Sequence, residues 1–488
     1  MSKNKGLIRK IHDALVAKKV SCLELTSWYL REIEKSDLNA FITVTKEQAL
    51  ESAKKVDEKI NKGEKIGLLE GVPMSLKDNF STKGILTTCG SKMLENYVPI
   101  YNATVYEILK NQGCVLLGKN NQDQFAMGSS NETSYFGPVK NPHDKTKVPG
   151  GSSGGACASV ASGLAAFAIG HDTGGSIRQP AAFCGIVGLK PTYGAISRYG
   201  IIPLASSLEQ AGPLTLTVED NSIVYDCLAA HDPKDETSSK IERKKTFNSL
   251  GDSIEGLKIG IPTNCFEGSD KEVYDAVEKA AKFYEKFGAK ITYFAFPEFD
   301  LSMPVYCVLG RAETASNMAC FDGIRYGYKY KGEYSDVNDL MAKTRSKALG
   351  DEVKRRIILG SYVLNTGYHD ALYKKSLGVK KLITDKVAEK FEEFDILITP
   401  TSPTTAFGFN YAGDDPVKMQ LADICVVNAN IAEIPALSIP CGYDSNNLPI
   451  GMQIMAKCWS EDLLFRVAYK YEKENFFAKI IGGVQFEI

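Results

Sequence analysis

The chain has 488 residues, 44% of them hydrophobic and 24% charged, and 58 basic side chains against 59 acidic ones leave a net charge of −1. That composition fits a folded globular protein with a large core. It excludes a chain that grips nucleic acid through its own positive field, since such binding rests on neutralising phosphates.

Twelve cysteines and five histidines show no Cys-x-x-Cys and no ligand-spaced histidine pair. No metal site or disulfide framework is expected, and the thiols read as reduced, buried, small hydrophobes. Asp13, Lys18 and Lys19 break the N-terminal apolar pattern, so no signal peptide is read. The longest small and apolar run, 156–169, falls short of the ~20 residues of a membrane span. A cytoplasmic protein is expected, with an organelle matrix as the alternative.

In chain order, 6–62 reads as helices with one short strand. Ser21 and Glu24 form a capping box ahead of Leu25, Trp28, Tyr29 and Ile33 at helical spacing. Phe41–Val44 reads as a strand, and Ala49, Ala53, Val56 and Ile60 as a helix ending near Gly63. Gly71-Val-Pro-Met-Ser-Leu-Lys77 reads as a buried strand with Lys77 at its end. Thr104–Lys110 is a predicted helix and Cys114–Leu117 a strand. Gly113 to Asn120 nearly spells a phosphate-binding loop, but Asn120 stands where Ser or Thr is needed and the middle residues are the strand itself.

Residues 123–137 read as a loop and the alanine-rich 156–170 as one buried helix. Residues 201–230 continue in α/β style, and 232–256 form a polar surface excursion. Strands are predicted at 257–261, 289–296, 395–399, 436–439 and 450–456. Helices are predicted at 273–287, through most of 311–386, and at 461–471. Alternation of this kind implies an α/β fold, a sheet covered by helices on both faces.

Chemistry concentrates in 148–192, where two glycine-flanked serine sites occur, Ser152/Ser153 and Ser176. A serine among close backbone N–H groups can attack a carbonyl while those groups hold the oxyanion. Gly151-Ser-Ser153-Gly-Gly155 also fits a nucleophile elbow, but that reading needs a preceding strand and a later histidine; His171, His231 and His369 are the only choices. The other constellation is Lys77 with Ser152 and Ser176. Lys77 is either an edge residue with its head in water or a desolvated, neutral base. A free lysine is neutral only about four times in ten thousand at pH 7.

Three segments carry a resemblance to the amidase signature enzymes: Gly-Val-Pro-x-x-x-Lys-Asp-Asn at 71–79, Pro-Gly-Gly-Ser-Ser-Gly-Gly at 149–155 and Asp-Thr-Gly-Gly-Ser-Ile-Arg at 172–178. The resemblance implies one amidase domain over 1–488. Its helical N-terminal portion spans about 1–64 and its signature core about 65–230, with the excursion at about 232–256 and a large mixed sheet at the centre. It implies a Ser–cis-Ser–Lys triad with Lys77 as base, Ser152 as the bridge across a cis peptide and Ser176 as nucleophile. The implied oxyanion hole is backbone N–H of Thr173, Gly174, Gly175 and Ser176.

A narrower resemblance is to the A subunits of glutamyl-tRNA(Gln) or aspartyl-tRNA(Asn) amidotransferases. It rests on 125–130, 133–137, 321–327, 343–346, 352–357 and 395–401. It implies a glutaminase that supplies ammonia to a B subunit, which phosphorylates and amidates the misacylated tRNA with ATP and Mg, together with a small C subunit. The chain itself would carry no cofactor and would meet tRNA mainly through its partner. Arg356 is then the ligand of the glutamine carboxylate, with Arg355 as the adjacent choice, and Asp423 the ligand of its ammonium. Gln124, where the family usually has Glu, and His171, where it has Ser or Thr, depart from the pattern; His171 is read as structural. The rival readings are a stand-alone amidase on another amide and a non-catalytic scaffold.

Overall fold

A computed structural model describes residues 5–413, 415–475 and 481. Eleven strands are found there: β1 Phe41–Val44, β2 Pro73–Lys77, β3 Val115–Asn120, β4 Phe167–Asp172, β5 Val187–Lys190, β6 Gln210–Thr215, β7 Lys258–Pro262, β8 Lys290–Phe294, β9 Ile396–Pro400, β10 Ala436–Tyr443 and β11 Pro449–Ala456. They form one sheet in the order β1-β3-β2-β4-β6-β5-β10-β11-β9-β7-β8. β3, β2 and β4 run parallel, as do β9, β7 and β8, and the middle of the sheet is antiparallel.

The helices are α1 Leu7–Val16, α2 Cys22–Lys35, α3 Lys46–Asn61, α4 Thr104–Asn111, α5 Gly154–Ala161, α6 Arg178–Cys184, α7 Val218–Leu228, α8 Lys271–Lys282, α9 Ser302–Met318, α10 Val337–Ala348, α11 Asp351–Leu364, α12 Lys375–Glu393, α13 Pro416–Leu421, α14 Val427–Ile431 and α15 Glu461–Glu474. Among the described residues no helix is long and apolar enough to cross a membrane.

The predicted Ser21–Glu24 capping box opens α2, with the Glu24 N–H donating to the Ser21 hydroxyl at 3.1 Å and the Ser21 N–H to the Glu24 carboxylate at 2.9 Å. Two apolar clusters sandwich the sheet. One gathers α1, α2, α3, α7, α8 and α15; the other gathers α9, α11 and α12 with Leu397 and Met455. A third, built mainly of small side chains, joins α5 and α6 to β4 and β6 through Ala156, Val160, Ala168, Ile177, Ala181 and Leu214.

The alanine-rich 156–170 segment corrects the single-helix reading. α5 stops at Ala161, Gly163 takes a left-handed φ of +71°, and the chain re-enters the sheet as β4. Glycine makes that turn without steric cost, and a strand between β2 and β6 buries Phe167, Ala168 and Ile169 completely. The polar excursion at 232–256 holds only a short 3-10 turn, Phe247–Ser249. It is pinned by Asp232, which accepts from Thr104 and Ser197 at 2.6 Å each, and by an Arg198–Asp235 pair at 3.0 Å.

Candidate active site

The parallel trio β3, β2 and β4 ends together, with Lys77 paired in register with Asn120 and Leu76 with Ile169. The carboxyl ends of parallel strands are where open α/β sheets bind ligands. Lys77 closes β2 and Asp172 closes β4, both fully buried.

Lys77 Nζ lies 2.7 Å from Ser152 Oγ, 3.0 Å from Ser153 Oγ and 3.2 Å from the His171 carbonyl oxygen. Burial pushes its pKa down to about 7, against the nearby Asp123 and Asp172 charges, which pull it up. The hydrogens can then be assigned. Ser153 spends its hydroxyl hydrogen on the His171 carbonyl, 3.1 Å away, so it can only accept from Lys77. A neutral amine has two N–H bonds, which go to Ser153 and the His171 carbonyl. In that neutral form the lone pair is left for Ser152, the one hydroxyl free to donate into it, whereas the ammonium form donates to all three partners. The Gly151–Ser152 peptide is cis. The His171 side chain is 3.2 Å from Glu209, consistent with a structural part, yet its backbone carbonyl belongs to the lysine's shell.

Ser176 sits on the turn between β4 and α6 and is the one residue of 171–185 that is not buried. Its carbonyl accepts from the Ser153 N–H at 3.1 Å, which seats the turn beside the Ser152–Ser153 pair. Beneath the turn, Ile177 rests in a socket made by three glycines on neighbouring strands. A Cβ added at Gly170, Gly188 or Gly212 would come within 2.9, 3.0 or 3.1 Å of the Ile177 side chain.

The turn is also clamped by a buried ion pair. Arg178 reaches Asp172 through Nε at 3.1 Å and Nη2 at 3.0 Å, and also donates to the Val426 carbonyl, Gln453 and Asn430. Burial opposes the Asp172 charge, but Arg178 holds its pKa well below the carboxylate range.

The same carboxylate takes the N–H of Gly175 at 2.9 Å and of Ile177 at 3.1 Å. Of the four N–H groups expected to hold an oxyanion, one is therefore committed elsewhere. Gly175 already has an acceptor for its N–H, whereas those of Thr173, Gly174 and Ser176 have none among the described residues. Gly175 contributes its shape instead. Its φ is +125°, and a Cβ there would lie 2.1 Å from Val426 Cγ2.

Around the turn the structure brings Arg356 and Asp423 together with Tyr306, which the sequence did not single out. Tyr306 covers Gly174, where an added Cβ would meet its ring at 2.8 Å, and Asp423 Oδ1 would lie 3.6 Å from a Cβ at Gly175. Arg356 points inward from α11, its side chain 14% exposed, with Nε on Glu352 at 2.7 Å. Burial works against its charge, but the Tyr306 phenol and Glu352 hold its pKa above the ordinary value. Arg355 points outward, its side chain 44% exposed.

Asp423 bonds Ser129 through Oδ2, while its Oδ1 is occluded and unpartnered. Burial, helped by Asp172, raises its pKa to about 7 against Ser129 and Arg356. An occluded carboxylate oxygen without a donor is costly, and a guanidinium stands close by. The pair has the charge pattern of an α-amino acid's two ends.

The sequence matches the Amidase family over residues 24–465. It is 48% identical over 484 residues to the A subunit of the glutamyl-tRNA(Gln) amidotransferase from Thermoanaerobacter pseudethanolicus, covering 98% of this chain and 99% of that one. It is 50% identical over 482 residues to the corresponding A subunit from Caldanaerobacter subterraneus subsp. tengcongensis, covering 98% of each. The crystal structure of the Thermotoga maritima A subunit superposes with a TM-score of 0.78 at 36% identity, covering 94% of this chain and 95% of that one. With its mixed eleven-stranded sheet and these relatives, the chain belongs to the amidase family, among the A subunits of glutamyl-tRNA(Gln) amidotransferase.

Proposed function

We propose that the chain is the glutamine-hydrolysing subunit of a tRNA-dependent amidotransferase, with Ser176 as nucleophile, Ser152 as proton bridge and Lys77 as base. Ser176 Oγ attacks the side-chain amide carbon of glutamine. Its proton passes to Ser152, which gives its own to Lys77. The negative charge that develops on the amide oxygen is held by N–H groups of Thr173, Gly174 and Ser176. The proton returns along the same relay to the leaving nitrogen, ammonia departs, and water hydrolyses the glutamyl ester to glutamate.

Arg356 takes the α-carboxylate as a planar fork, and Asp423 takes the α-ammonium through its free Oδ1. Ammonia is used by a B subunit, which carries the ATP-dependent step and most of the tRNA contact, with a small C subunit in the assembly. The observation that carries this reading is the buried Lys77 hydrogen-bond shell, in which a neutral amine has its lone pair left for Ser152, 2.7 Å away.

The test is covalent labelling with a diazoketone analogue of glutamine followed by mass spectrometry. The expected result is one adduct on Ser176 and none in Ser176→Ala. An adduct on the Ser176→Ala protein contradicts the assignment. Purification from the native source with bound B and C subunits is the expected result for the partners; recovery of the chain alone, hydrolysing simple amides as well as glutamine, favours a free-standing amidase.

A further inference from the structure

Gln124 is 3% exposed and stands at the start of the loop that carries Ser129. Its side-chain amide spans two parts of the molecule that the chain itself does not connect locally. Nε2 donates to Ser91 Oγ at 2.8 Å and to the Ala348 carbonyl at 3.2 Å, and Oε1 accepts from the Gly350 N–H at 2.6 Å. A backbone donor on one side and a backbone acceptor on the other fix the amide's orientation, and its NH2 and C=O supply one partner to each.

Ala348 ends α10 and Gly350 caps α11, so the bridge locks the junction from which α11 projects Arg356. On the other side, the Gln124 N–H donates to Thr133 Oγ1 at 3.0 Å, and Thr133 Oγ1 donates to the Asp123 carboxylate at 2.8 Å. That loop also presents Ser129 to Asp423.

We infer that Gln124 is a positioning residue that sets the separation between Arg356 and Asp423, and so the selection for an α-amino-acid amide. This rests on the glutamine-binding roles proposed above. Gln124 touches no reacting atom. It holds the arginine's helix against the loop that orients the aspartate. A methionine there, of similar length but with no N–H donor and no carbonyl oxygen, would leave the Ala348 carbonyl and the Gly350 N–H without this partner and loosen the junction.

The test uses the enzyme co-expressed with its partner subunits. With glutamine, Gln124→Met is expected to raise KM by about 10-fold while kcat changes less than about threefold. Gly350→Ala probes the bridge from its other end, since the new Cβ would lie 2.7 Å from Gln124 Oε1; it is expected to raise KM in the same way. Labelling of Ser176 by phenylmethanesulfonyl fluoride, which needs the nucleophile but neither charged end, is expected to keep its wild-type rate in both variants, and this separates mispositioning from misfolding. The inference is overturned if KM stays within twofold of wild type in both variants, or if labelling falls as far as glutamine turnover. If wild type shows no preference for glutamine over butyramide, the glutamine reading itself has failed and this inference falls with it.

Discussion

Lys77 Nζ and Ser152 Oγ lie 2.7 Å apart, and the neighbouring Ser153 hydroxyl, 3.0 Å from the same nitrogen, has already given its hydrogen to the His171 carbonyl. Two serines touch one lysine, but only one can pass it a proton. Ser152→Ala is expected to lower kcat for glutamine by about 1,000-fold, and Ser153→Ala, which removes only an acceptor, by about 10-fold. Steady-state kinetics on both variants decide it; equal losses would mean the hydrogen assignment is wrong. Lys77→Arg should be as inactive as Lys77→Met, because a guanidinium does not give up its proton in a protein.

The pH dependence follows from two groups displaced to about 7, Lys77 from above and Asp423 from below. Below that pH Lys77 gains a proton and loses the lone pair that receives one. Asp423 gains a proton and loses the charge proposed to hold the substrate's ammonium. Both losses act in the same direction, so kcat/KM should fall steeply on the acid side, with a logarithmic slope approaching two. Bound glutamine keeps Asp423 ionised, so the kcat profile should show a single ionisation near 7. A kcat that stays flat down to about pH 5 would remove Lys77 as the base.

Arg355 and Arg356 share the Glu352 carboxylate but face opposite ways. Arg356→Lys is expected to lower kcat/KM for glutamine by about 100-fold, since an ammonium cannot reproduce the planar fork. Arg355→Ala should change it less than about twofold, as surface pairs contribute little. The reverse ranking would move the carboxylate ligand by one residue.

Breaking the Asp172–Arg178 pair should be felt first in folding. Arg178→Met leaves Asp172 charged, fully buried and short of its main donor. The cost is expected to be about 3–5 kcal/mol in urea or thermal unfolding. Asp172→Asn/Arg178→Met together should lose less stability than the sum of the single changes. Additive losses would show that the pair does not act as a unit.

Much of this is readable in the sequence, for physical reasons that can be named. The capping box at Ser21, the strand Phe41–Val44 and the strand ending at Lys77 announce themselves through local chemistry, and the glycine-serine motifs mark the turn at Ser176. The 156–170 segment misleads because buried alanine suits a short helix and a covered strand equally, and apolar runs carry no period to separate them. Strand β5, Val187-Gly-Leu-Lys190, is four residues of a glycine-rich stretch and has no local signature. Tyr306 gains its place from contacts with residues more than a hundred positions away, and nothing in its own neighbourhood marks it; Ser129 lies in the 125–130 motif, but its contact with Asp423 has no local sign. The phosphate-loop lookalike at 113–120 is excluded by the structure as it is by the sequence: β3 runs straight through it.

The three glycines under Ile177 carry a last consequence. Gly170, Gly188 and Gly212 lie on β4, β5 and β6, and what they leave is room that Ile177 shares with Leu214, Ala181 and the Leu189 carbonyl. The height of the Ser176 turn above the strands is thus set in part by an apolar floor beneath it. A single methyl group at Gly188, where Ala181, Ile177 and Leu214 are its nearest neighbours, is expected to raise the Ser176 turn without meeting a polar group, so reactivity could be tuned, or lost, from below.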